Sequence, residues 1–122
     1  MSEKPEIDFI EGPPPTELVI TDLVVGDGAE ATPGAQVLVH YLGVDFETGE
    51  QFDASWDRGE PIRFPLAGLI AGWQEGIPGM QPGGRRLLVI PADLAYGDTP
   101  PPGSGIAPGE SLVFVVDLVS SP

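Results

Sequence analysis

Leu69-Ile70-Ala71-Gly72-Trp73-Gln74-Glu75-Gly76-Ile77 is the one short stretch of this chain that reads as helix. Leu69, Ile70, Trp73 and Ile77 recur at helical spacing. One or two turns of helix, weakened by Gly72 and Gly76, cannot persist alone in water. Something must cover the apolar face, and the surrounding segments read as strand or turn. The stretch therefore predicts a small sheet folded around one short helix, with the Trp73 indole at the contact.

Working outward, strand-like segments flank the helix on both sides. Leu18 to Val25 is rich in β-branched residues. Gln36 to Val44 places Val37, Val39, Tyr41 and Gly43 on one face. Glu47-Thr48-Gly49-Glu50 reads as a hairpin turn leading into Gln51 and Phe52. Ile62 to Leu66 is short and extended. Arg85 to Ile90 follows the Pro82-Gly83-Gly84 turn. Glu110 to Leu118 is nearly continuously apolar, as a central strand should be. Pro91 to Ala107 is a long loop dense in proline and glycine, and such loops inside small domains are usually functional. About five strands, one short helix and one long loop fit an α+β domain with an antiparallel sheet wrapped on the helix. Residues 1–16 lack periodicity and end in Gly12-Pro13-Pro14-Pro15, which reads as a rigid spacer. They are expected to form a flexible N-terminal arm or an extended edge segment, with the folded domain spanning 17–122.

Composition narrows the chemistry. The 122 residues suit one domain, and 41% are hydrophobic, enough for a core. There is no cysteine and only one histidine, His40. Thiolate metal sites, disulfides, a cysteine nucleophile and a histidine metal cluster are excluded, and no metal or cofactor is expected. No apolar run is long enough to span a membrane, and the acidic N-terminus does not read as a signal peptide. The expected location is the cytoplasm. A formal net charge of −14 favours solubility as a monomer and repels polyanions, so nucleic acid and anionic membranes are poor partners.

The search for a nucleophile ends without one. Gly103-Ser104-Gly105 lacks the spacing of a nucleophile elbow. Ser55 lies near Asp53, but no second histidine exists to activate it. The glycine-rich stretches lack the lysine of a phosphate loop, since the sole Lys4 is in the tail. Asp53, Asp57 and Glu60 miss the spacing of a calcium loop and read as turn acids. What remains is an aromatic surplus spread over different elements: Tyr41, Phe52, Phe64, Trp73, Tyr96 and Phe114. The plainer reading is that they are core. Tyr96, set in the long loop, fits that reading least. A largely apolar pocket with a few oriented polar groups is the alternative.

These residues also stand in a familiar order. Val39-His40-Tyr41-Leu42-Gly43, Gln51-Phe52-Asp53-Ala54-Ser55, Gly72-Trp73-Gln74-Glu75-Gly76, Gly83-Gly84-Arg85-Arg86, Leu94-Ala95-Tyr96-Gly97 and Leu112-Val113-Phe114 resemble the FK506-binding protein family (FKBP-type peptidyl-prolyl isomerases). The resemblance runs from about Leu18 to Leu118. It implies an antiparallel five- to six-stranded sheet curled around one short α-helix. It implies isomerisation of X-Pro bonds in proline-containing polypeptides, and binding of the macrolides FK506 and rapamycin. Carried over by motif, Tyr41, Asp53 and Tyr96 would act on the substrate. Phe52, Ile62, Leu69, Ile70, Trp73, Ile106 and Phe114 would bind it, with Trp73 as the floor and Arg58 near Asp53. Ile62 stands where many relatives carry an aromatic. Gly72 and Gly76 would bring backbone close both to a bound proline and to the sheet. The alternative under the same resemblance is a non-catalytic module that binds proline segments or acts as a holdase.

Overall fold

The computed structural model describes residues 3–7, 10 and 12–121. Six strands form one antiparallel sheet: β1 (Val19–Val24), β2 (Gln36–Asp45), β3 (Gln51–Ala54), β4 (Ile62–Pro65), β5 (Arg85–Ile90) and β6 (Leu112–Ser120). The order is β1-β5-β6-β2-β3, and β4 also pairs with β2. β2 thus serves two partners on one edge: its first half pairs with β4 (Val39 opposite Ile62) and its second with β3 (Leu42 opposite Ala54). Its other edge pairs with β6 from Leu38 to Asp45.

Period-two alternation sorts the side chains. Val37, Val39 and Tyr41 of β2, Leu88 and Ile90 of β5, and Leu112, Phe114, Val116 and Leu118 of β6 enter the main core on the concave face. Leu42, Val44, Val89 and Val113 enter a second cluster on the convex face. This explains why β6, which lies between β5 and β2 and is buried on both sides, has a nearly continuous apolar run broken only by Asp117. β1 is the opposite case. Among the described residues it pairs only with β5, and all six of its residues are exposed.

The one α-helix among the described residues, α1, runs from Ala71 to Gly76. It is shorter than the apolar spacing predicts. Leu66–Gly68 forms a separate 3-10 turn, and Ile70 caps the helix in extended conformation (φ −60°, ψ 152°). Leu69 and Ile70 therefore precede the helix rather than belonging to it. The two glycines face the sheet. A Cβ on Gly72 would lie 2.6 Å from Ile90 Cγ2, and one on Gly76 would lie 2.8 Å from Leu88 Cδ2. They let α1 settle on β5, and neither is among the residues lining the cavity described below.

The described arm residues form neither helix nor strand. They lie against the convex face: Ile7 and Ile10 pack on the second cluster, beside Trp56 and Leu87. An apolar convex face needs cover, and the arm supplies it. Residues 1, 2, 8, 9 and 11 of the arm, and residue 122, lie outside the described residues.

Candidate active site

A cavity of about 390 Å³ opens between the concave face and the segment leading into α1. β2 contributes Tyr41, β3 contributes Phe52 and Asp53, β4 contributes Phe64, and β6 contributes Phe114. Gly68, Leu69 and Ile70 line it just before the helix, Trp73 lines it from α1, and Tyr96 from the long loop. Eight of the residues expected from the sequence are therefore brought together: Tyr41, Phe52, Asp53, Leu69, Ile70, Trp73, Tyr96 and Phe114. Ile62 and Ile106 are not among the lining residues, although both pack against the main core as Phe52, Leu69, Ile70 and Tyr96 do. Phe64 takes a place in the wall: alternation along β4 turns both Ile62 and Phe64 toward the core, and the Phe64 ring meets those of Tyr41 and Trp73. Its aromatic character was visible in the sequence, but its facing depends on the β2–β4 register.

Trp73 is almost wholly buried and meets three rings edge-on. The centroid distances are 5.4 Å to Tyr41, 5.7 Å to Phe64 and 5.3 Å to Phe114, with interplanar angles of 80°, 86° and 87°. Such perpendicular contacts are each worth about 0.5–1.5 kcal/mol beyond simple burial, so the floor is rigid. The Trp73 Nε1–H has no hydrogen-bond partner among the described residues. Gly43 makes room for the far wall: a Cβ there would lie 2.6 Å from the Phe52 ring and 2.7 Å from Phe114.

The polar wall is a closed triangle. The Tyr41 hydroxyl donates to Asp53 Oδ2 at 2.6 Å. Arg58 Nη1 donates to Asp53 Oδ1 at 2.7 Å, and Nη2 donates to the Tyr41 hydroxyl at 2.8 Å. The guanidinium also stands 5.8 Å from the Tyr41 ring centroid, within cation–π range. Burial pushes the Tyr41 hydroxyl up to about 12, and the bond to Asp53 adds to the rise while Arg58 opposes it. Arg58 is held above its ordinary value, first by Asp53 and then by Tyr41. Both Asp53 oxygens are occupied, so this carboxylate is an oriented charge rather than a free base.

Two donors at the cavity are uncommitted. The Tyr96 hydroxyl and the Ile70 backbone N–H have no hydrogen-bond partner among the described residues. Burial, and secondarily the Asp53 charge, raises the Tyr96 hydroxyl above the ordinary phenol value, which keeps it protonated. The loop that carries it is tied down by Gly97 N–H to the Ala92 carbonyl and Gly109 N–H to the Gly97 carbonyl, each 2.8 Å.

One pair eluded the sequence reading. His40 Nδ1 lies 2.8 Å from Ser55 Oγ, so the single histidine does reach this serine. The contact resembles a nucleophile with its base, but Ser55 is fully buried and lines no part of the cavity. Its Oγ accepts the Tyr41 N–H at 2.7 Å. Burial holds the His40 ring below its ordinary pKa, against the pull of Asp117.

Fold and cavity together define a class: an antiparallel sheet wrapped on a short helix, enclosing an aromatic pocket with one ion-paired carboxylate. A family model described as FKBP-type peptidyl-prolyl cis-trans isomerase matches residues 28–119. The chain is 62% identical over 120 residues to the "Probable FK506-binding protein" of Corynebacterium glutamicum, spanning 98% of this chain and 99% of that one. It is 57% identical to the FK506-binding protein of Streptomyces anulatus, spanning 97% of each. Among solved structures, the crystal structure of FkpA from Escherichia coli matches with a TM-score of 0.79 at 41% identity, over 85% of this chain and 47% of that one. The chain belongs to the FKBP-type peptidyl-prolyl cis-trans isomerase family.

Proposed function

We propose that this chain accelerates rotation about X-Pro bonds in polypeptides by holding the proline ring on Trp73 and stabilising the twisted amide without covalent chemistry. The observation that carries the mechanism is the cavity itself: a rigid aromatic floor facing two uncommitted donors, Tyr96 and Ile70. The rotation barrier, about 18–20 kcal/mol, exists because twisting destroys amide resonance. No bond is broken, so no nucleophile is required. An acceleration of about 10⁴-fold needs removal of about 5.5 kcal/mol.

Three features supply parts of that sum. The twisted amide is less charge-separated than the planar one, so a dry aromatic wall favours it. The Tyr96 hydroxyl and the Ile70 N–H donate to carbonyls of the bound segment and fix its chain while the preceding carbonyl turns. Asp53, held by Arg58 and Tyr41, presents a fixed negative field to the rotating group.

The proposal includes FK506 and rapamycin as ligands of the same cavity; the names of the relatives support FK506. It places the protein in the cytoplasm as a monomer; the charge of −14 supports the monomer by keeping copies apart. Light scattering tests the monomer, and fractionation of source cells tests the location. A protease-coupled assay on a proline peptide, with and without FK506, tests the activity. Turnover suppressed by FK506 supports the reading; binding of the peptide without turnover would establish the non-catalytic module instead.

A further inference from the structure

The turn between β3 and β4, Ser55–Arg58, is gripped from both sides of the sheet. Ser55 is anchored inward by the Tyr41 N–H and by His40. Trp56 stacks on His40 with ring centroids 4.8 Å apart and planes at 11°. The Arg85 guanidinium lies 5.9 Å from the Trp56 ring centroid. Asp57 accepts from Lys4 Nζ at 2.7 Å and from Gln51 Nε2 at 2.7 Å. Arg58, the next residue, reaches the opposite way to Asp53 and the Tyr41 hydroxyl.

We propose that the N-terminal arm is a positioning strap for Arg58: docked on the convex face, it holds the outer side of this turn and so sets the guanidinium that orients Tyr41 and Asp53. The kinetic part of this inference rests on the isomerase reading; the structural part does not. Consecutive Cα atoms are locked about 3.8 Å apart, so any drift of Asp57 is passed to Arg58. The arm meets the turn through Lys4, and meets its neighbour Arg85 through the Glu3 carbonyl, which accepts from Arg85 Nη2 at 3.0 Å. Arg85 is itself held by Asp117 through two bonds of 2.6 and 2.8 Å. The Lys4–Asp57 pair is solvent-exposed and contributes little by itself. The register of the strap comes instead from Ile7 and Ile10, seated on the cluster of Leu42, Val44, Phe46 and Val113. Loss of that seat takes Lys4 from Asp57 and leaves Gln51 and the Arg85–Trp56 contact as the outer holds, a looser grip in which Arg58 samples positions that no longer pin the Tyr41 hydroxyl.

The test is a double-mutant cycle in the full-length chain. Ile7→Ser/Ile10→Ser unseats the arm; Lys4→Glu repels Asp57 while leaving the apolar seat, and decides the matter if the double variant fails to fold. Each is combined with Arg58→Ala. The readouts are kcat/KM on a proline peptide well below the unfolding temperature, and the guanidinium resonances of ¹⁵N-arginine-labelled protein. There are only four arginines to assign: Arg58, Arg63, Arg85 and Arg86. The expected result is a loss of about three- to tenfold in kcat/KM in the parent background, almost none in the Arg58→Ala background, and displaced or broadened Arg58 signals. Equal losses in both backgrounds, or no loss, overturn the strap, as do Arg58 signals indifferent to the arm variants. If the intact chain shows no turnover, the isomerase reading fails and the Arg58 signals alone decide the strap.

Discussion

Gly72→Ala tests how the helix is seated. The new Cβ would lie 2.6, 2.7 and 2.9 Å from three atoms of Ile90, Cγ2, Cδ1 and Cγ1. Carbon atoms pack best at about 3.5–4.0 Å, so the overlap is on the order of 0.6–0.9 Å at each atom. Ile90 is wholly buried, and its branched side chain has little rotamer freedom with which to retreat. Overpacking of this kind costs about 1–3 kcal/mol. Alanine is a better helix former than glycine by up to about 1 kcal/mol, which offsets part of that. Three overlaps under 3.0 Å on a wholly buried side chain put the cost at the upper end of that range, so the net expectation is a destabilisation of about 2 kcal/mol, seen as a fall in Tm of roughly 3–6 °C per kcal/mol. Because Trp73 follows Gly72, α1 lifting from β5 should also raise KM for a proline peptide. Gly76→Ala should cost less, since its closest neighbours are the methyl ends of Leu88 at 2.8 and 3.0 Å. Gly68→Ala, with only Pro65 Cγ at 3.8 Å, is the control and should be close to neutral in stability. Thermal unfolding of the three variants gives the ranking. A Gly72→Ala protein as stable as the parent would refute the reasoning, because propensity would then outweigh the contact with Ile90.

Three further outcomes follow from the site. Asp53→Ala releases both Arg58 and the Tyr41 hydroxyl, so turnover should fall about tenfold, or about 1.4 kcal/mol, while Tm barely moves because the ion pair is exposed; unchanged turnover removes Asp53 from the mechanism. Trp73→Ala should remove about 3–5 kcal/mol of stability together with peptide and macrolide affinity, since one ring is both core and floor; calorimetry that finds affinity intact would contradict the floor. Tyr41, pushed up to about 12, holds its proton more tightly folded than unfolded, where phenols titrate near 10. Its contribution is therefore complete below pH 10 and is lost as pH rises toward 12. Tm should decline across that window, and Tyr41→Phe should flatten the decline; an equally steep decline in the variant would locate the effect elsewhere.

The sequence by itself determined whatever depends on local spacing. The short helical period around Trp73, the alternation of β2 and the nearly continuous apolar run of β6 each state how one element meets its surroundings; the structure realises the two strands and a helix shorter than the period, Ala71–Gly76. The wall residues Tyr41, Asp53, Trp73, Tyr96 and Phe114 were legible because their motifs run in family order along the chain. Only the tertiary structure decided which elements press against each other. The pairing of β4 with β2 turned both Ile62 and Phe64 toward the core, and position along the strand set the Phe64 ring against Tyr41 and Trp73 in the wall. The seating of α1 on β5 turned Gly72 and Gly76 toward Ile90 and Leu88. Ile106 settled on the flank of the core. His40 and Ser55, fifteen residues apart, met because β2 and β3 are neighbours in the sheet. The arm carries no periodicity at all, yet Ile7 and Ile10 found an apolar convex face that only the assembled sheet presents. A single segment's pattern records that it has a face to bury; what that face is buried against is a property of pairs of segments distant in the chain, and it exists only once they are folded together.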